Sequence, residues 1–340
     1  ASASTITWLI HQKFELSIPL YRQEKEWEAL GLRLSRATMS NWLLVVYRDW
    51  LVHIVHRLKL EFLKQRYLHI DETHVQVLKE PGRKNTSDSY MWVYCSIRDA
   101  VNPIRYFEYQ PGRSGKYPEA FLREYEGYIH TDAYSGYNAV SGVKRCLCYT
   151  HLRRAFVDAL PKDIHNSEAS KPAEAILRLN QLFNIESELE ALPPDQKKKE
   201  RLIREKPLLE AFGSWAEKSA IGELPKSKLS KAFHYALNNR EGFWNYLEDG
   251  NCSISNSLAE NCIRPFVIGR KNWLFSGSPK GAEASAGIYT LVETAKANGL
   301  APMKYIKYIL SDMPGSAFLE HPEYLDDYLP WNPLVKEFCR

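Results

Sequence analysis

The stretch YLHIDETHVQVL, residues 67–78, switches the chain from a helical to an alternating period. Leu68 and Ile70 face one way, His69 and Asp71 the other, which is the pattern of a half-buried strand with an acid on its polar face. Working outward, the polar loop KEPGRKNTSD leads to a second strand, YMWVYCSI, and the turn RDAVNP to a third, IRYFEY, so the spacing predicts an antiparallel meander. A helix follows from near Lys116 through AFLREY, with Pro118 close to the first turn, where a missing N–H does no harm. Then come a short strand, YIHTD, a Gly-containing turn, SGYN, a strand-like VKRCLCY and the helix HLRRAFVDAL.

That order of strands and helices predicts an α/β fold of the ribonuclease-H-like kind, a mixed sheet flanked by helices that gathers acids from separated segments at one edge. Ahead of it, residues 20–47 read as a helical pair: YRQEKEWEAL, a break at Gly31, and a restart at SRATMSNWLLVVY with Ser35 as N-cap. This is helix-turn-helix spacing, with Arg36, Thr38, Ser40 and Asn41 where a recognition helix meets bases or phosphates. An ordinary helical hairpin packed on the core is the alternative. A further helix spans roughly 43–65. Residues 163–250 have helical period throughout and read as an α-helical insertion, in which the charge run KKKERLIREK is expected to be a solvated helix face, with contact to a DNA backbone as the alternative. Helix returns after Asn256, and DYLPWNPL forms a tail on the core surface. The expected divisions are a helical region at 1–65, core at 66–162, insertion at 163–250, core again at 251–314 and a tail at 315–340.

A 340-residue chain with 44% apolar and 12% aromatic residues can fill a substantial core. With 45 Lys and Arg against 41 Asp and Glu, overall charge does not attract nucleic acid, so any such surface arises from local clustering. No apolar run approaches the roughly 18 residues of a membrane span, and the start resembles no signal peptide. The expected location is cytoplasmic, associated with the nucleoid. The six cysteines lie in apolar runs without a C-x-x-C pair, which fits a reducing compartment and free thiols.

Three acids stand in distinctive settings: Asp71 in HIDET, Asp132 at a strand end in HTDAYSGYN, and Glu260 in the first turns of a helix in SNSLAENCIRP. Phosphodiester chemistry needs such a set, because two magnesium ions about 3.5–4 Å apart activate a hydroxyl and stabilise the leaving oxygen, and carboxylates hold such hard ions. Manganese is expected to substitute. Singly, each acid reads as a surface charge or cap; the fold makes the trio credible. After the third acid come Arg264, Arg270, Lys271, Asn272 and Trp273, then SGSPKGAE with Lys280, a basic and aromatic cluster suited to DNA. Arg264 lies one helical turn beyond Glu260 and can share its face. Cys148 and His151 have C-x-x-H spacing, but two ligands are too few for zinc and no second pair stands at finger spacing. His69 and His130 each precede a candidate acid; with Cys148 and His151 they are expected to support the acids, since a two-metal mechanism needs no histidine base. A carboxylate-pair glycosidase is disfavoured, as a neutral sugar gives Arg264, Arg270 and Lys271 no partner.

The segments PLYRQEKEWEALGLRLSRATMSNWL, HIDET, RSGKYPEAFL, GYIHTDAYSGYN, CYTHLRRAF, NSLAENCIRPFVIGRKNWLFSGSPKGAEASAGIYTLVETAKANGL and LPWN together resemble the transposases of the insertion sequence 66 family, members of the DDE class. The resemblance covers nearly the whole chain. It implies a ribonuclease-H-like catalytic domain with a helical insertion, magnesium dependence, and cutting and joining of double-stranded DNA at element ends and target. Its catalytic triad falls on Asp71, Asp132 and Glu260, and its C-x-x-H on Cys148 and His151. It also implies a homo-oligomeric synaptic complex and accessory proteins of the element. Family members carry a further helix-turn-helix region and a Cys-rich segment ahead of the point where this chain starts, which leaves open a truncated or a naturally partial protein. A non-catalytic DNA-binding derivative is the competing function.

Overall fold

The alternation read at residue 67 runs through strand β1, Tyr67–Val77, with Leu68 and Ile70 fully buried and Asp71 partly exposed. β1 pairs antiparallel with β2, Asp88–Ser96, setting His69 opposite Cys95 and Asp71 opposite Val93, and β2 pairs antiparallel with β3, Arg105–Gln110. The meander is as the spacing predicted. The computed structural model describes residues 1–161 and 170–340. They divide into two compact units, Ala1–Arg123 with Leu258–Arg340, and Glu124–Ser257. The expected boundary at 162/163 lies outside the described residues.

In the first unit the helices before the sheet are α1 (Ala3–Ile10), α2 (Leu20–Ala29), α3 (Arg36–Val46) and α4 (Val52–Phe62), and α5 (Lys116–Phe121) follows it. Ser35 caps α3 as read from sequence, its hydroxyl accepting the Thr38 N–H at 3.1 Å. Gly31, at φ +85, makes the turn after α2 in the left-handed region that glycine tolerates. Two features went unread. α1 begins on a Ser2 cap, and five-residue π turns at His11–Glu15 and Tyr47–Leu51 continue α1 and join α3 to α4.

The returning chain supplies α12 (Ser257–Trp273), the two-residue strand β6 (Phe275–Ser276) parallel to the end of β1, α13 (Pro279–Ala297), α14 (Pro302–Asp312) and α15 (Pro333–Cys339). α13 closes the β3 edge. The hydroxyl of Thr290 accepts the Phe107 N–H at 2.8 Å and that of Thr294 the Arg105 N–H at 3.1 Å, so outward donors of an edge strand are satisfied by a covering helix. Gly287 lets α13 approach closely, since a Cβ there would stand 2.1 Å from the Tyr47 ring. The expected surface tail is more firmly packed than its composition suggests: Leu329, Val335 and Cys339 are buried.

The second unit holds the parallel pair β4 (Gly127–Thr131) and β5 (Val143–Leu147), then α6 (Tyr149–Val157). Among the described residues, five further helices follow where the insertion was expected: α7 (Lys171–Glu188), α8 (Pro194–Arg204), α9 (Lys206–Ala220), α10 (Lys228–Asn238) and α11 (Arg240–Trp244). The charge run on α8 is not wholly a solvated face. Arg201 is fully buried, its guanidinium bidentate on Glu186 at 2.6 and 2.8 Å and donating to the carbonyls of Tyr246, Asp249 and Cys252. A periodic pattern cannot tell which cation of a run turns inward; that depends on a carboxylate and a carbonyl cluster arriving from elsewhere. The fold is thus α/β of the ribonuclease-H-like kind, with mixed strand pairing and flanking helices. All six cysteines are free thiols.

Candidate functional site

Asp71 and Glu260 belong to the first unit and Asp132 to the second. Within HIDET the pleat separates two neighbouring acids. Asp71 stays partly exposed, its Oδ1 accepting the Glu72 N–H at 2.9 Å, while the Glu72 side chain is 2% exposed and bound by Arg113 at 2.5–2.6 Å. Only Asp71 faces the side that α12 crosses. On that side Cys262 of α12 lies beside Cys95, which pairs with His69, and Arg270 of α12 donates to the Thr73 hydroxyl at 3.1 Å. Residues 69, 71 and 73 share a face, so Asp71 lies between the two points where the helix meets the sheet. This covering explains why His69, which alternation put on the polar face of the strand, is 2% exposed. Burial and the Cys262 contact hold the Cys95 thiol well above its usual range, and Cys95 in turn draws Cys262 down.

Glu260 stands in the first turn of α12, partly exposed, with Oε1 shielded from solvent. Arg264, Lys271 and Lys280 are exposed cations following it. Arg270 is half-buried, which lowers its pKa, and it serves the sheet through Thr73. Trp273 is engaged in packing: its ring lies 6.3 Å from Phe266 and 6.2 Å from Tyr289, and Gly269 has no Cβ because one would stand 2.0 Å from it. The Asn272 amide donates to the Ile268 carbonyl at 3.4 Å on its own helix. Near the chain start, Arg36 and Asn41 lie exposed on α3, the Arg36 backbone N–H bonded to Glu24 at 2.9 Å.

In the second unit Asp132 follows the last residue of β4, and its Oδ1 accepts the Tyr134 N–H at 2.9 Å, a side-chain turn that fixes the carboxylate. Arg145 of β5 clamps the same loop. Its guanidinium donates to the Thr131 hydroxyl at 2.7 Å, the Asp132 and Tyr134 carbonyls at 2.6 and 2.8 Å, and Asn138 at 2.6 Å. Tyr235 of α10 approaches from the insertion; burial first, then the nearby Asp132 charge, pushes its hydroxyl up to about 12. Neither Arg145 nor Tyr235 was singled out from sequence. The spacing of VKRCLCY marked a strand, and nothing local says that its arginine closes over a loop before it.

Cys148 stands between β5 and α6, at the N-cap of the helix. Burial opposes ionisation of its thiol, but hydrogen bonds from His151 and from the Asn256 N–H, at 3.1 Å to Sγ, outweigh it and leave the pKa lowered. His130, 1% exposed on β4, accepts the Ser253 N–H on Nε2 at 2.9 Å. Thus three of the histidines and cysteines expected beside the acids, His69, His130 and Cys148, are buried, and the fourth, His151, is half-buried. No helix among the described residues is long and apolar enough to cross a membrane.

A family model described as "Transposase IS66 family" matches residues 1–284, a span that includes Asp71, Asp132 and Glu260. Similar curated proteins come from Sinorhizobium fredii (strain NBRC 101917 / NGR234). The uncharacterized protein y4hP is 26% identical, the alignment covering 95% of this chain and 60% of its own length. For the uncharacterized protein y4qI the figures are 27%, 96% and 62%, and for the uncharacterized protein y4jD 25%, 98% and 66%. The chain therefore spans about three-fifths of the length of the first two relatives. No solved structure matches.

Proposed function

The chain belongs to the IS66 family of transposases, and we propose that it is the DNA-cutting and DNA-joining core of a DDE-class enzyme, with Asp71, Asp132 and Glu260 as its catalytic carboxylates. The observation that carries this reading is the family match across all three motifs. The donor set suits magnesium or manganese: all three side chains offer oxygen only, none is fully buried, and backbone N–H groups orient Asp71 and Asp132. Two ions bound by these acids would supply Lewis acidity and an activated oxygen nucleophile. The chain's own part is positioning. The β1–β2 pairing and the Glu72 N–H fix Asp71, the Asp132–Tyr134 turn under the Arg145 clamp fixes the second acid, and the α12 helix carries the third.

DNA is the substrate, as element ends and as target. Arg264, Lys271 and Lys280, all exposed, would meet phosphates, with Arg36 and Asn41 of the α2–α3 pair as a second contact region. Assembly as a homo-oligomer at paired ends, with accessory proteins of the element, belongs to the same reading. The test is incubation with end-containing DNA and magnesium. Nicks at the element end and joined products are expected, and both disappear in Asp71→Ala, Asp132→Ala and Glu260→Ala. Cleavage that survives all three changes refutes the reading; tight binding without cleavage by the unaltered protein favours a DNA-binding derivative instead.

A further inference from the structure

We propose that His130, Cys146 and Cys252 form a buried zinc site inside the second unit, independent of the carboxylates. The strand pairing creates its first half: β4 and β5 run parallel with His130 directly opposite Cys146, so the two side chains leave the sheet on one face, side by side. The second half comes from the segment after the insertion, which brings the Cys252 thiol beside both. The ligand atoms of the three residues all lie within 4.8 Å of one another, and each residue is 1% exposed. Zinc with bonds of about 2.3 Å to sulfur and about 2.0 Å to nitrogen asks for only a modest further closure of these three donors, and a bound water would complete the tetrahedron.

The chemistry of the donors selects the ion. Two thiolates and an imidazole are soft ligands that exclude magnesium and calcium. With zinc the assembly is neutral, two negative sulfurs against one dication, whereas copper(I) would leave a net negative charge in a dry interior. The histidine tautomer also fits. Nε2 accepts the Ser253 N–H at 2.9 Å, so an unprotonated lone pair already points at the segment that bears Cys252. On binding, zinc replaces the two thiol protons, which leave to solvent, and takes an imidazole lone pair; the Ser253 amide gives up its present acceptor for a neighbouring thiolate. The bound ion ties β4, β5 and residues 249–256 together just below the loop that carries Asp132. Sequence spacing hid the site, because its three ligands come from two strands and a loop beyond the insertion.

The full chain, purified with zinc and then exchanged with cobalt(II), tests this. One zinc per chain is expected, with two sulfur neighbours at about 2.3 Å in X-ray absorption, and the cobalt form should show thiolate-to-metal absorption. That absorption should be lost in Cys146→Ser and Cys252→Ser and kept in Cys148→Ser and Asp132→Asn. Folded unaltered protein that retains no zinc, zinc bound through oxygen and nitrogen alone, or absorption lost in Cys148→Ser overturns the proposal. If the Cys146 or Cys252 variants do not fold, the sulfur count of the unaltered protein with the Cys148→Ser spectrum still decides it.

Discussion

Replacing Arg201 by methionine removes the cation at the centre of the helical insertion. In the native unit its guanidinium is fully buried, holds Glu186 by two bonds of 2.6 and 2.8 Å, and donates to three carbonyls at 2.8–3.0 Å. Methionine fills a similar volume, so the loss is chiefly electrostatic. Among the described residues, Lys197, at 3.2 Å, is the cation left bridged to Glu186, whose carboxylate remains in the interior beside Glu205. Stranding one partner of a buried pair costs about 3–5 kcal/mol, and the carbonyls left without their donor fall within the same range rather than adding to it. Native-state hydrogen exchange reads this locally, without assuming that a two-unit protein unfolds in one step. The opening free energy of amides in α7 and α8 should fall by about 3–5 kcal/mol. Pairing the change with Glu186→Leu should cost less than the sum of the single changes, because no anion is then stranded. A loss below about 1 kcal/mol, the range of an exposed pair, or strict additivity in the double variant, refutes the reasoning.

Gly269→Ala places a Cβ 2.0 Å from the Trp273 ring and 2.6 Å from the Tyr289 hydroxyl, and overpacking of that kind should cost about 1–3 kcal/mol in thermal unfolding. Unchanged stability would mean that α12 is not held against Trp273 as described. Arg145→Ala should free the 131–138 loop and lower DNA cleavage while leaving DNA binding intact; Arg145→Lys should not restore it, because one ammonium cannot span four acceptors on a planar fork. Restoration by lysine would reduce Arg145 to a bulk charge. Glu205 is fully buried, and burial first, then the Glu186 charge, raises its carboxyl from 4.5 to about 8 although Tyr246 donates to it at 2.6 Å. The folded state therefore holds this proton more tightly, and stability should decline as pH rises from about 4.5 through about 8. Glu205→Gln should flatten that decline in melting temperatures taken across the window, and an unaltered slope would contradict the assignment.

Much of the architecture was legible because its elements carry their own signal. The alternation at Leu68–Ile70, the meander turns and the Ser35 cap depend on neighbours in sequence, and each appears where it was read. What escaped notice depends on distant partners. His69 is buried because α12 covers the face that alternation marked as polar, and β6 is a strand of two residues paired to the end of β1. The π turns lie within continuous helical runs, with no breaker to announce them. The site shows the same division. Motifs named the three acids, and the pleat distinguishes Asp71 from Glu72, but Arg145 over the Asp132 loop, Tyr235 beside it and the His130–Cys146–Cys252 cluster exist only after the chain has folded.

The central claim is that Asp71, Asp132 and Glu260 act together on one pair of metal ions. A crystal structure of the protein with manganese and end-containing DNA, using anomalous scattering to locate the metal, addresses it most directly. Two manganese ions about 3.5–4 Å apart, ligated by carboxylate oxygens from all three residues next to a phosphate of the element end, are the predicted result. Manganese bound with DNA in place while any one of the three acids stands away from both ions would contradict the account.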